Sequence, residues 1–334
     1  MVKISADRVE QLIAQALEAQ GVGATSAQSV AQALVAAEID GQGGHGLARF
    51  DAYSAQVASG KVNAKAEPAL HTLAPGFLSV DAQSGFAFPA IEAAIKDLIE
   101  RCSVQGIAVA AIKNSHHAGQ LGAHVEALAN AGLVGIMLSN TPKAMPPWGG
   151  SEPIFGTNPI AFAAPRVGQP PLVIDLSLSK IARGKIMRAA QQGASIPLGW
   201  ALNSAGQPTD NAKEALAGSM LPAGDAKGAA LALMVEVLAA TLTGANYSFE
   251  ASSFFEAQGQ SPGVGHLIIA IDPSLDSQNS FQNRLEVLMT AIERQPGTRI
   301  PGASRLARRR SNPDKTLDIE EEVLNRLNRG ANTD

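Results

Sequence analysis

The sequence predicts an α/β protein with a helical amino-terminal region, and three observations predict it. Apolar residues recur at helical spacing over 5–39, short apolar runs rich in Val and Ile begin after Gly76, and helix-like stretches lie between several of those runs. Val9, Leu12, Ile13, Ala16 and Leu17 line one face of a first helix, with Ser5 placed to cap it. Val30, Leu34 and Ala37 repeat the pattern over 25–39, where Thr25 and Gln28 form a capping box. The runs 77–80, 107–112, 134–138, 160–163, 172–174 and 267–271 read as strands of one sheet. Helices are expected at 89–104, 117–131 and 226–243, and the last is so rich in Ala, Leu and Met that it is expected to be buried. After the break at Pro313, Ile319, Val323 and Leu327 follow at four-residue spacing and predict a terminal helix packed on an existing surface.

Composition bounds the function. A chain of 334 residues is long enough for a substantial core and suits two domains. Hydrophobic residues make up 46% and charged residues 17%. No apolar run approaches the roughly 18 residues of a membrane-spanning helix. The start lacks the basic, apolar and small-residue regions of a signal peptide, so a soluble, cytoplasmic protein is expected. A single cysteine, Cys102, excludes an intrachain disulfide and suits a reducing compartment. The net charge of -4 argues against broad nucleic-acid binding. Arg305, Arg308, Arg309 and Arg310 form the one basic cluster, which reads as a solvated stretch before the final helix.

Gly41-Gln42-Gly43-Gly44-His45-Gly46 satisfies GxGxxG in letter only. That motif binds a dinucleotide where a strand leads in and a helix leads out, with an acidic residue about twenty positions on. Here a helix leads in and the acidic residue is missing, so a Rossmann fold is not expected. Gly149-Gly150 and Gly224 match no phosphate-binding loop either. The glycines do let backbone approach a ligand beside His45, with Arg49 four positions on. A histidine can deliver a proton near neutral pH and an arginine can grip a carboxylate with two hydrogen bonds, so the pair suits a small carboxylic acid. A solvated loop is the bland alternative. Ser115-His116-His117 follows a strand and opens a helix, where catalytic groups and anions are often held, although one histidine could equally fill a core position. His116, His117 and His124 lack carboxylate or cysteine companions at zinc-ligand spacing, and no metal is expected. Gly156-Thr157-Asn158-Pro159 reads as a tight turn, Asp175 as a ribose acceptor, a histidine orienter or a cap, and Lys227 as a cation at a helix start.

The order of motifs carries more than any one of them. His45-Gly46 with Arg49 and Tyr53 comes first, then Ser115-His116-His117, Gly149-Gly150 and Gly156-Thr157-Asn158-Pro159. Ile174-Asp175, Ala182-Arg183-Gly184-Lys185, Gly199-Trp200-Ala201, Pro208-Thr209, Lys227-Gly228 and Pro301-Gly302 complete the series. In this the chain resembles the malate/L-lactate dehydrogenase family along nearly its whole length. The resemblance implies an α+β homodimer with its active site between two domains. A helical domain, 1–75 with 303–334, would carry substrate and dimer contacts, and 76–302 would form a central, mostly antiparallel NAD(P)-binding sheet that is not a Rossmann fold. Such a sheet differs from what the alternation of strands and helices alone suggests.

Members of the family act on 2-hydroxy acids such as malate, lactate and sulfolactate, and one branch reduces the cyclic imines Δ1-piperideine-2-carboxylate and Δ1-pyrroline-2-carboxylate. The stretch 229–250 is similar to that branch, which implies imine reduction with NADP in preference to NAD; a 2-hydroxy acid dehydrogenase is the alternative. By motif, His45 is the implied proton donor, Arg49 the carboxylate clamp, Thr157 a further substrate contact, and His116 the acid/base of the hydroxy-acid enzymes. Implied cofactor contacts are His117, Ala118, Gly119, Gln120, Leu121, Thr141, Asp175, Leu176, Ser177, Lys227, Gly302 and Arg305. Three positions depart from the pattern. Gly44 stands where the family has a serine, Lys185 where the imine reductases have an aspartate, and Asn203 where an aspartate is common after Gly-Trp-Ala. A serine and aspartate relay to His45 is therefore absent, and Lys185 agrees with the hydroxy-acid enzymes.

Overall fold

The computed structural model describes residues 1–275 and 280–331. The chain opens with β1 (Val2–Ser5), α1 (Ala6–Glu18), α2 (Ala24–Ile39) and α3 (Phe50–Ala58). It continues through β2 (Ala69–Ala74), β3 (Phe77–Asp81), α4 (Ala87–Gln105), β4 (Ile107–Ser115), α5 (Leu121–Asn130), β5 (Val134–Ser139), β6 (Ile160–Ala164) and β7 (Leu172–Leu176). An excursion follows, with α6 (Arg183–Gln192), β8 (Ala201–Leu202), α7 (Ala212–Ala217), β9 (Ser219–Met220) and α8 (Ala226–Glu236), which runs on into a π turn at Val237–Thr241. The chain ends with β10 (Val264–Ile271), α9 (Ser280–Glu293), α10 (Ala303–Ser311), β11 (Thr316–Ile319) and α11 (Glu321–Ala331). Among the described residues no helix is long and apolar enough to cross a membrane.

All six expected strands share one seven-stranded sheet in the order β2-β3-β4-β10-β5-β6-β7. Only β3 and β4 run parallel, joined by the α4 crossover; every other neighbouring pair is antiparallel. The sheet is thus mostly antiparallel, and it lacks the run of parallel strands that builds a Rossmann fold. Alternation of side chains feeds two cores. Ala108, Ala110 and Ile112 face Leu98 of α4 and Val125 and Leu128 of α5, while Ala111, Leu138 and Leu267 face Ala232 and Val235 of α8. A third core gathers both ends of the chain, with Leu12 and Leu17 of α1, Leu34 of α2, Tyr53 of α3 and Leu317 and Leu327 near the end. The pairing of β1 with β11 ties those ends together.

Several local expectations are corrected. Ser5 does cap α1, accepting from Arg8 N at 3.3 Å. The capping box at Thr25 does not form: α2 starts one residue earlier from Gly23, and Gln28 bonds Glu10 of the neighbouring helix. Ile319 belongs to β11 rather than to the terminal helix, which begins at Glu321. The stretch 226–243 is not buried all round, since Leu231, Leu233, Met234, Val237 and Leu242 are 40–52% exposed. One face of this helix meets β10 so closely that a Cβ on Gly265 would lie 1.8 Å from Ala239 O; the widened π turn lies at that crossing. The arginine cluster is solvated only in part, at the exposed Arg308 and Arg310. It forms α10, from which Arg309 reaches Asp40 at 2.6 Å and Glu126 at 3.0 Å, and the neighbouring Arg305 is buried. The two carboxylates, one at the end of α2 and one in α5, draw these cations inward.

Candidate active site

The glycine-rich loop after α2 folds into two short 3-10 turns, Gly43–His45 and Leu47–Arg49. Glu38, in the last turn of α2, accepts from Leu47 N at 2.7 Å and packs on Gly46, where a Cβ would lie 2.2 Å from its carboxylate. A side chain directly after His45 would displace the Glu38 carboxylate from Leu47 N. Arg49 donates from Nε to Gly44 O at 2.7 Å, its guanidinium carbon lies 4.4 Å from the centre of the Phe255 ring, and its Nη1 is buried with no hydrogen-bond partner among the described residues. An orphaned guanidinium nitrogen in such a place is suited to receive an anion.

Three imidazoles meet above this loop. His45 Nδ1 lies 3.2 Å from His117 Nε2, with the rings within 10° of parallel, and His117 Nδ1 lies 2.6 Å from the Tyr53 hydroxyl. His45 is half-buried, whereas His116 is 0% exposed and neither of its ring nitrogens has a hydrogen-bond partner among the described residues. The His116 ring instead meets Phe86, Tyr53 and Phe254. Burial pulls His45 down to about 4 with help from Arg49, and His116 to about 3 with help from Lys61, Arg49 and His266. His117 is held well below the ordinary histidine value by burial, then by Arg49 and the neighbouring histidines. The charges that act on these rings are thus all of one sign.

The aromatic wall behind the histidines comes from the loop after the π turn. Lys61 is 3% exposed, and its ammonium donates to the carbonyls of Ser253, Glu256 and Gln258 at 2.7, 2.9 and 3.3 Å. Gln56 and Ser59 bond the carbonyls of Glu256 and Ala257 from α3 and its end. Phe254 and Phe255 are thereby fixed over His117 and Arg49.

Thr157 N donates to Thr141 Oγ1 at 2.9 Å, and the two hydroxyls are 3.2 Å apart. This pair is held by its neighbours. The buried carboxylate of Glu236 accepts from the amides of Asn140 (3.3 Å) and Asn158 (2.8 Å), and from Ser248 N and Oγ (2.6 and 2.7 Å). Asn158 has φ 39°, a left-handed conformation that asparagine tolerates better than most residues. Glu236, Lys61 and Asp40 were not singled out by the sequence; their one signal was a charge inside or beside an apolar run.

The implied cofactor residues fall mostly on one edge of the sheet. His117, Ala118, Gln120 and Leu121 are buried, and α5 begins at Leu121 rather than at His117. Asp175 accepts from Gly122 N at 2.7 Å, which caps the first turn of α5. Gly122 also approaches Arg305, and Gly302, with φ 81°, lies against Val173 O, so that 118–122, 175, 302 and 305 converge. Gln120 donates to Asp40 at 3.1 Å. Glycines 119 and 302, the helix start and Arg305, whose Nε has no hydrogen-bond partner among the described residues and stands 3.9 Å from Asp40 Oδ2, bring donors together beside the Phe88 ring, which fits a nucleotide's phosphates. Ser177 meets only Ser179 (3.1 Å), Leu176 is exposed, and Lys227 stands apart in the first turn of α8 with its ammonium exposed.

A non-Rossmann sheet beside a histidine and arginine loop defines a class of oxidoreductase. Residues 4–328 match the malate/L-lactate dehydrogenase family, and the chain belongs to it. It is 50% identical over 324 residues to the (2R)-3-sulfolactate dehydrogenase (NADP(+)) of Chromohalobacter salexigens, covering 97% of this chain and 96% of that protein. It is 42% identical to the Delta(1)-pyrroline-2-carboxylate/Delta(1)-piperideine-2-carboxylate reductase of Pseudomonas aeruginosa, over 94% of this chain and 95% of that one. The crystal structure of delta1-piperideine-2-carboxylate reductase from Pseudomonas syringae pvar. tomato superposes with a TM-score of 0.94 at 37% identity, covering 99% of this chain and 100% of that chain.

Proposed function

We propose that the protein is an NADP-dependent 2-hydroxy acid dehydrogenase, in the reducing direction a 2-oxo acid reductase, whose substrate carries a second anionic group as 3-sulfolactate does. The observation that carries this reading is the single sign of charge around the histidines: Arg49 acts on all three and Lys61 on His116, and among the described residues no carboxylate acts on them. Such a site favours an oxygen that becomes negative as the carbonyl is reduced. A cyclic imine reacts as its protonated cation, which a carboxylate would stabilise and this set of charges does not. The 50% identity to a sulfolactate dehydrogenase supports the same reading. The imine reductase reading has its own support in the 42% identical reductase and the 0.94 superposition.

When bound, the reduced nicotinamide supplies hydride to C2 of the acid. The cradle of His117 to Leu121, Asp175, Gly302 and Arg305 would hold it. Arg49 Nη1 takes the substrate carboxylate, His45 Nε2 hydrogen-bonds the oxygen at C2, Thr157 lies on the substrate's other side, and Phe254 and Phe255 keep water out. Orientation and charge stabilisation do most of the work. The helical part, 1–75 with 303–334 less β2, which pairs with β3 in the sheet, then forms one domain, and 76–302 with β2 the cofactor domain.

The experiment is the initial rate of NADPH oxidation with 3-sulfopyruvate, oxaloacetate, pyruvate, Δ1-pyrroline-2-carboxylate and Δ1-piperideine-2-carboxylate. The sulfonated oxo acid is expected to lead the imines in kcat/KM by about tenfold or more, the worth of one extra charge-assisted contact. Imines in the lead would overturn the reading. A cytoplasmic setting, checked by cell fractionation, suits the one free thiol, Cys102, which is buried against Ala270 O.

The exposed side chains of Leu231, Leu233, Met234, Val237 and Leu242 support a homodimer packed along α8 and its π turn. Sedimentation equilibrium is expected to give twice the chain mass, and Leu233→Lys with Met234→Lys to return it to one. A wild-type monomer would remove the dimer from the proposal.

A further inference from the structure

The geometry points to Tyr53 as a positioning residue that fixes the proton on His45 through His117, in a chain without the serine and aspartate that the family uses. This rests on the reading of His45 as the donor to the substrate oxygen. Tyr53 is fully buried among Phe86, Phe88 and the two histidines, and among the described residues its hydroxyl has one hydrogen-bond partner, His117 Nδ1 at 2.6 Å. The next link, His117 Nε2 to His45 Nδ1, is 3.2 Å.

Two neutral imidazoles in such a row admit two self-consistent proton arrangements. Either the phenol donates to His117 Nδ1, His117 Nε2–H donates to His45 Nδ1, and His45 shows Nε2–H to the cleft. Or each ring carries its proton on Nδ1, His45 shows a bare lone pair, and the phenol proton points at nothing. A buried hydroxyl proton without an acceptor is unfavourable, so the first arrangement is the ground state. It presents a donor to the substrate before any charge moves.

The same row supplies the proton. As the substrate oxygen becomes negative it takes the proton from His45 Nε2, His45 Nδ1 takes the proton of His117 Nε2, and His117 Nδ1 takes that of the phenol. Three bonds to hydrogen break and three form. The negative charge passes to the Tyr53 oxygen, where burial holds the phenol well above its ordinary value and Arg49 offsets only part of that cost, so the phenolate is transient. After the product leaves, the shift reverses with water at the open edge of His45 as the proton source. This route answers a difficulty, because burial first, and then the Arg49 cation, leave neither His45 nor His117 an imidazolium at neutral pH.

The test is the 15N spectrum of protein labelled at histidine, without substrate, for the wild type and Tyr53→Phe, together with the steady-state kinetics of both. In the wild type both His45 and His117 are expected protonated at Nε2. In Y53F that preference is expected to be lost and kcat to fall about tenfold or more while KM for the acid stays within about twofold, because the clamp at Arg49 is untouched. A wild-type His45 protonated at Nδ1, or a Y53F kcat within about twofold of wild type, overturns the inference. If the wild type reduces none of the acids, the functional reading falls, and the wild-type tautomer still decides this one.

Discussion

Arg49→Met raises KM for the acid substrate by roughly 30- to 150-fold, the equivalent of about 2–3 kcal/mol for a charge-assisted contact to a carboxylate, and lowers kcat far less. The expectation follows from the buried, unpartnered Nη1, which has no structural bond to lose. The Nε bond to Gly44 O and the Phe255 ring hold the guanidinium in place before substrate arrives, so the clamp is preorganised. Arg49→Lys keeps the charge but not the planar fork and falls between the two. Saturation curves for the three proteins decide it, and an unchanged KM in the methionine variant removes Arg49 from the substrate site.

His45→Asn lowers kcat by about a hundredfold or more, the usual worth of a general acid. His116→Asn lowers it by less than about tenfold, since its ring is enclosed by Phe86, Tyr53 and Phe254 and reaches the cleft only through its neighbours. Its main effect is expected on thermal stability, through a cavity in an aromatic cluster. Rate constants at saturating substrate for the two variants separate the candidates, and a larger loss at His116 would make it the acid.

Much of the fold was legible because side-chain periodicity reports burial. The strands at 107–112 and 267–271 announced themselves through unbroken apolar runs, and both lie in the middle of the sheet. Chain direction is another matter. Periodicity is blind to it, and strands separated by helices suggested parallel neighbours, whereas β5, β6 and β7 are joined by irregular chain and run antiparallel. The 226–243 helix shows the same limit from the other side, since apolar composition did not tell a core-facing surface from an exposed one.

The site was legible where chemistry and spacing coincide. Arg49 and Tyr53, four residues apart at the start of α3, project into the same region as His45. The partner that joins them, His117, is distant in sequence, and nothing local distinguished it from His116 as the ring that meets His45. Glu236 was hidden for a related reason. A lone carboxylate in a helix of Ala, Leu and Met reads as a solvent-facing residue, yet four donors from three separate loops converge on it.

Lys61 holds its loop by main-chain oxygens alone, those of Ser253, Glu256 and Gln258. Every amino acid offers the same carbonyl, so the anchor is indifferent to what the loop spells. Residues 254 and 255 are therefore open to drift or to directed evolution, and an enzyme on this scaffold is free to acquire a new acid by exchanging two side chains while its frame stays fastened.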